Sequence, residues 1–364
     1  MSIWRWAEYF SKTPVEFQIT LGEGNTPLVH SRRIGPEAGL KHLYFKLESS
    51  NPTGSYKDRF GASAISDMLA NRQTRCVGTS SGNAGAAMAA YCATARIACE
   101  LAIIETAPPG KLKQMLAYGA NVYLVRGMGV DPQVTDQVAD CLRRCAARVD
   151  ARLQISAFAY SPNGMAGVQT IAYELAEQAE AAGHPIDGVF IPAAGGGLTL
   201  AVARGFAQLH ERGAIKVAPR IHCVQPDGND TMVTPLREGS QEARPVQCTT
   251  QVSGLQVGCV IDGTEVIAIC RVSGGTGHLV SDEAAWKLQA RLATEEGIFC
   301  EPAGAVGLVG ALDAADRGEI RSDEHVVCLV TGTGFKDPPS VDRMIAGRPC
   351  PTIDVGELAE RISS

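Results

Sequence analysis

Short apolar runs with β-branched content alternate along this chain with alanine-rich stretches of helical spacing. Residues 43–47, 76–79, 98–104, 121–125, 153–157, 188–191, 220–224 and 325–330 read as strands, and residues 84–95, 170–181, 198–209 and 282–295 read as helices. That alternation builds βαβ units and a mostly parallel, buried sheet. Glycine clusters punctuate the strand ends: SSGNAG at 80–85, AAGGG at 193–197 and TGTG at 331–334. In an open α/β sheet the carboxyl ends of strands are where ligands bind.

Composition narrows the class. Glycine accounts for 39 of 364 residues, where average usage gives about 25. With 45% hydrophobic residues and a net charge of −6, the chain is neither disordered nor fibrous, and it is long enough for one large or two modest domains. Mild acidity argues against non-specific binding to nucleic acid or to an anionic membrane. The 12 cysteines include no CxxC pair. Cys76, Cys99, Cys223 and Cys328 sit in apolar runs and read as small core residues, and Cys141 and Cys145 share a helix. The opening MSIWRWAEYFSKTPV has no secretory apolar region, and no apolar run reaches membrane-spanning length. A cytoplasmic protein with reduced thiols and no metal is expected.

Three clusters can carry chemistry. In AAGGGLT, a strand runs into Gly195, Gly196 and Gly197 before a helix begins near Leu198 and Thr199. Glycines let backbone N–H groups approach an anion, and the helix dipole favours it, so the loop reads as a phosphate cradle. A tight turn under close helix–strand packing explains the same residues. The spacing is neither GxGxxG nor a P-loop, which argues against dinucleotides and nucleoside triphosphates. In SSNPTGSYKDRF (49–60), residues 51–54 form a turn, Ser55 is a candidate helix cap and Lys57 enters the first helical turn. A lysine beside a helix's positive end has its charged form disfavoured, which suits a nucleophilic or Schiff-base amine; a snorkelling surface lysine is the plain alternative. In SSGNAG, two hydroxyls, an amide and helix-start N–H groups suit a carboxylate, or simply cap a turn. Lys336 and Asp337, after TGTG, read as surface charges.

Taken in order, GEGNTPL (22–28), NPTGSYKDR (51–59), SSGNAG (80–85), GKLKQMLAYGA (110–120), GGG (195–197), GIFCEPAGA (297–305) and TGTGFKD (331–337) resemble the threonine synthase family of fold-type-II pyridoxal-phosphate-dependent enzymes. The resemblance spans Trp4 to Asp337. It implies an α/β fold like the tryptophan synthase β chain: two open twisted domains with the cofactor in the cleft. Residues 1–55 and 161–364 would form the large domain, and 56–160 a small mobile one. The resemblance also implies site roles. Lys57 would be the catalytic Schiff-base lysine. Asn83 would bond the cofactor's 3-oxygen, Gly195, Gly196, Gly197, Leu198 and Thr199 would hold its phosphate, and Thr331 would face the pyridine nitrogen. Ser80, Ser81 and Asn83 would meet the substrate carboxylate, with Tyr56 near the ring or pocket wall. The implied protein is a lyase performing β- or γ-elimination or replacement on an amino acid, such as O-phosphohomoserine to threonine, as a homodimer.

The chain departs from the family where substrate is met. The family's NP-x-RLEGQKT is SPNGMAGVQT here, with Gly164 in place of the arginine that clamps the substrate phosphate. Arg126 and Lys113 are the candidate replacements. Thr333 takes a histidine position, and I-x-I-G-[ND]-P becomes GLQVGCVIDG at 254–263. All three changes spare the cofactor set. A β-replacing synthase of the cysteine or cysteate type, or a threonine or serine dehydratase, therefore competes with threonine synthase.

Overall fold

A computed structural model describes residues 2–107 and 109–363. Among them are ten strands: β1 (Leu28–His30), β2 (His42–Leu47), β3 (Arg75–Gly78), β4 (Ala98–Ile104), β5 (Asn121–Val125), β6 (Ala151–Leu153), β7 (Gly188–Pro192), β8 (Arg220–Pro226), β9 (Gly277–Val280) and β10 (His325–Val330). They form two sheets, one six-stranded in the order β1-β2-β10-β7-β8-β9 and one four-stranded in the order β5-β4-β3-β6. Every pairing is parallel except β1 with β2.

The helices expected from spacing form with small changes at their ends: Asn83–Ala95, Thr170–Ala182, Gly197–Glu211 and Asp282–Glu295. β7 and β10 are the apolar centre of the large sheet. The buried face of the helix Pro302–Asp316 reaches β10 through Gly304, β7 through Gly307 and β8 through Gly310. A Cβ on Gly307 would lie 2.8 Å from the Phe190 carbonyl oxygen, and one on Gly310 2.7 Å from a Val224 methyl. Part of the glycine excess therefore serves close helix–sheet packing.

Two details differ from the spacing argument. The fifth run makes a strand at Ala151–Leu153, Gln154 N still bonds Val77 O of β3 at 2.9 Å, and residues 155–160 leave the small sheet. There Ala157 N bonds Ile155 O at 2.7 Å and Phe158 and Ala159 donate to Asp262, so ladder partners are replaced by local and side-chain ones. β1 and β9, the two edge strands, carry no clean apolar run; β9 holds the buried His278, which bonds His222 at 3.0 Å.

The strand ends converge. β10 runs into Thr331–Gly334, β7 into Ala193–Gly197, and β3 into Ser80–Asn83. The segment before the helix Lys57–Ala70 is stitched to the first of these: Ser55 bridges Gly332, Tyr56 N donates to Thr331 O at 3.1 Å, and Thr333 N to Gly54 O at 2.9 Å.

Candidate active site

Lys57 is the first residue of its helix, behind the turn closed by Gly54 N to Asn51 O at 2.8 Å. Ser55 does not cap this helix. Tyr56 holds the cap position and the buried Ser55 hydroxyl has no partner, because Ser55 is committed to the bridge with Gly332. Lys57 is half-buried, and its Nζ lies 4.5 Å from the centre of the Tyr56 ring and donates to Ser156 Oγ at 2.6 Å. Burial brings its pKa down to about 7, against the opposing pull of Asp262 and Glu301. An amine that exchanges its proton near neutrality can act as base or nucleophile.

Asn83, Thr331 and Tyr56 gather around one carboxylate that motif reading did not single out, Glu301. Asn83 Nδ2 donates to its two oxygens at 2.8 and 3.1 Å, and Thr331 Oγ1 donates at 3.4 Å. Lys111 Nζ lies 3.6 Å from Glu301 Oε2 and also donates to Ser253 Oγ at 2.8 Å. Glu301 precedes Pro302 as the cap residue of its helix, yet its side chain makes no cap bond. Within GIFCEPAGA an acidic residue ahead of a proline looks like a helix start, which hid it. Burial and Glu301 both push the Tyr56 phenol upward.

Lys336 and Asp337 are not surface charges: they are 4% and 8% exposed. The sharp turn Gly334–Lys336 folds Lys336 inward, where its Nζ donates to Gln114 Oε1 at 2.7 Å. Burial lowers its pKa to about 8. By contrast, the Arg126 side chain is 96% exposed and Lys113 is exposed. Gly164 lies in the helix Pro162–Val168, where a Cβ would come 2.7 Å from Phe60 and 2.8 Å from Ala64. An arginine side chain has no room to leave this position.

The Gly195–Thr199 turn meets the residue that Lys57 bonds: a Cβ on Gly197 would lie 3.3 Å from the Ser156 carbonyl oxygen. Gly196 has φ +97°, a conformation open to glycine, and a Cβ there would meet a Val266 methyl at 2.8 Å. The first helical bond is Leu200 N to Gly196 O at 3.0 Å, so the N–H groups of Gly197, Leu198 and Thr199 precede the helical ladder. The buried hydroxyl of Thr199 has no partner, and neither has Asn83 Oδ1. Ser80 and Ser81 are half-buried at the start of the helix Asn83–Ala95, where Gly82 N donates to Ser80 Oγ at 3.3 Å. The site thus offers a near-neutral amine, a helix-start anion seat, a second helix start lined by hydroxyls, and two buried ammonium groups.

Residues 19–332 match the family model described as PALP, pyridoxal-phosphate dependent enzyme. The chain is 31% identical to a threonine synthase of Methanocaldococcus jannaschii over 94% of this chain and 82% of that one. Among solved structures, it superposes on the processed form of threonine deaminase isoform 2 from Solanum lycopersicum with a TM-score of 0.75 at 21% identity, covering 96% of this chain and 94% of that one. It superposes on maize serine racemase with a TM-score of 0.71 at 22% identity, covering 93% and 92%. These two likenesses speak to fold.

Proposed function

The chain belongs to the pyridoxal-phosphate-dependent enzyme family, among relatives named threonine synthase, and we propose that it acts on an amino acid bearing an anionic leaving group, by elimination or replacement of the threonine synthase type. The observation that carries this reading is the pair of buried ammonium ends, Lys111 and Lys336, beside the Glu301 cluster. Buried cations need an anionic partner. Glu301 and Asp58 both bear on Lys336, but burial pushes Asp58 toward its neutral form, so a substrate phosphate ester would complete the charge.

The residues fit the cofactor. Gly195 to Thr199 would hold its phosphate, Asn83 its 3-oxygen through Nδ2, and Thr331 would face its ring nitrogen; the unpartnered Thr199 hydroxyl supports the first role. Bound pyridoxal phosphate supplies an electron sink for charge left on the substrate's α-carbon. The chain supplies the rest. Lys57 would hold the cofactor covalently and, once free, would take the α-proton on Nζ, a task suited to an amine titrating near 7. Ser80, Ser81 and the N–H groups at the Asn83 helix start orient the α-carboxylate. Tyr56 walls the pocket. The small domain, residues 56–160, closes over the large one to exclude water. A cytoplasmic homodimer is the expected form, with twelve unpaired cysteines in keeping with a reducing compartment; light scattering of the purified protein checks the dimer.

Gly164 favours a second reading. With no arginine possible there, a dehydratase or a β-replacing synthase that takes a smaller leaving group fits the same cofactor site. Incubation with O-phosphohomoserine, O-acetylserine and threonine, followed by product identification, separates them. Threonine and phosphate from O-phosphohomoserine support the first reading; turnover of only the other two overturns it.

A further inference from the structure

The phosphate seat is walled by a carboxylate. Asp262 precedes the helix Gly263–Val272 at its cap position but makes no side-chain cap bond, although aspartate is among the best residues for that role. Instead it wraps the three glycines. Its N–H donates to Gly195 O at 3.0 Å, its carbonyl oxygen lies 3.3 Å from where a Gly196 Cβ would stand, and its Oδ2 lies 3.1 Å from a Gly197 Cβ. The same carboxylate accepts Phe158 N at 2.8 Å and Ala159 N at 3.1 Å, in the segment that crosses from the small sheet and carries Ser156. Asp262 is 2% exposed.

This arrangement is at odds with an anion seat. A buried ionised carboxylate and a phosphate dianion in adjacent positions repel each other with little solvent screening. The charged groups that bear on Asp262 are Lys57 from its helix, Arg204 from the helix Gly197–Glu211, and Glu265 one turn onward. Burial raises the Asp262 pKa, with the two backbone N–H bonds pulling the other way. A neutral carboxyl keeps its acceptor role toward Phe158 or Ala159 through one oxygen and becomes a donor through the other.

We propose that Asp262 is a proton-linked gate on the phosphate seat, taking up one proton from solvent when a phosphate group settles on Gly195–Thr199. The inference rests on the assignment of that turn as the cofactor's phosphate seat. It makes Asp262 a further residue of the cofactor site, one that weakens cofactor retention as pH rises.

The test uses the full chain freed of cofactor and pyridoxine 5'-phosphate, which lacks the aldehyde and cannot bond Lys57. Calorimetry at pH 8.5 in two buffers of different ionisation enthalpy counts protons taken up on binding. Wild type is expected to take up close to one proton, and its affinity to fall about tenfold per pH unit once Asp262 is ionised in the free chain. Asp262→Asn is expected to take up none, to lose that slope, and to bind about tenfold tighter at pH 8.5. If Asp262→Asn fails to fold, the same count on Lys57→Met keeps the question open to refutation, since the lysine is then excluded as the proton's destination. No proton uptake in Lys57→Met, or an Asp262→Asn affinity equal to or weaker than wild type with the same slope, overturns the gate. Thr199→Val separates the two layers. Weakened binding in Thr199→Val with a wild-type-like Asp262→Asn breaks the gate alone, whereas unchanged binding in both breaks the seat.

Discussion

Two clusters of buried charge flank the start of the Lys57 helix, and they are built on opposite principles. In the first, Arg59 bonds Glu48 at 2.8 Å and Glu174 at 2.7 Å, and Lys46 bonds Glu174 at 2.7 Å. Thr26 and Thr170 hydroxyls and the N–H groups of Asn25 and Thr26 add further bonds. Two cations meet two carboxylates. Arg59 and Lys46 hold Glu174 below its ordinary range even though burial alone would raise it. In the second cluster, Lys57, Lys336 and Asp58 titrate at about 7, 8 and 7, each displaced chiefly by burial, and Asp58 Oδ1 and Asn83 Oδ1 lack partners. The closed network fixes the helix in place. The open one is left short of partners, the pattern of a site rather than of a scaffold.

The largest expected effect comes from removing the amine of the open cluster. Lys57→Ala should lower turnover by about a thousandfold or more and abolish the visible absorption of the bound cofactor, while leaving unfolding in urea within about 1 kcal/mol of wild type. A variant retaining full activity would remove Lys57 from the mechanism. The converse holds for Arg59→Met, which strands Glu48 and Glu174. Its unfolding free energy should fall by about 3–5 kcal/mol, and an unchanged urea midpoint would show that the first cluster is not what holds the fold there.

A smaller effect separates the clusters by pH. Asp58 is fully buried and its pKa is raised from 3.8 to about 7, so the folded chain binds more protons than the unfolded one between those values. Its contribution to stability is therefore present at pH 4 and is lost as pH climbs toward 7. Asp58→Asn, which keeps an acceptor for Thr53 N, should flatten that decline, gaining about 1–3 kcal/mol at pH 8 relative to its effect at pH 5. Equal changes at both pH values would refute the assignment. The smallest expected effect is in substrate binding. Lys336→Met should raise KM for a phosphate-bearing substrate about tenfold, with less change for O-acetylserine; equal shifts for both would mean Lys336 does not read the leaving group.

Much of this was legible in the residues. Four helix ranges and seven of eight strand runs follow from spacing, because apolar periodicity and glycine at strand ends are local properties. Lys57 was legible too, since its position at a helix start needs only SSNPTGSYKDRF. Glu301 and Asp262 were not. Each stands at a helix start, where an acidic residue has an ordinary local explanation, and only the packed structure shows both side chains turned away from that role. Lys336 was misread for a related reason: a lysine after TGTG looks solvated until Gln114, far away in sequence, is folded against it.

The sequence by itself determined a parallel α/β chain with glycine-lined strand ends, a helix-start lysine and membership in a cofactor family, because these depend on local spacing and residue type. The tertiary structure decided which charges are answered and which are left open. Arg59 and Lys57 stand two residues apart on one helix, yet one is closed in by carboxylates and the other reaches a hydroxyl, that of Ser156. Desolvation and partners reached across 99 residues of chain for Lys57 and 115 for Arg59 make that difference, and no local pattern records them.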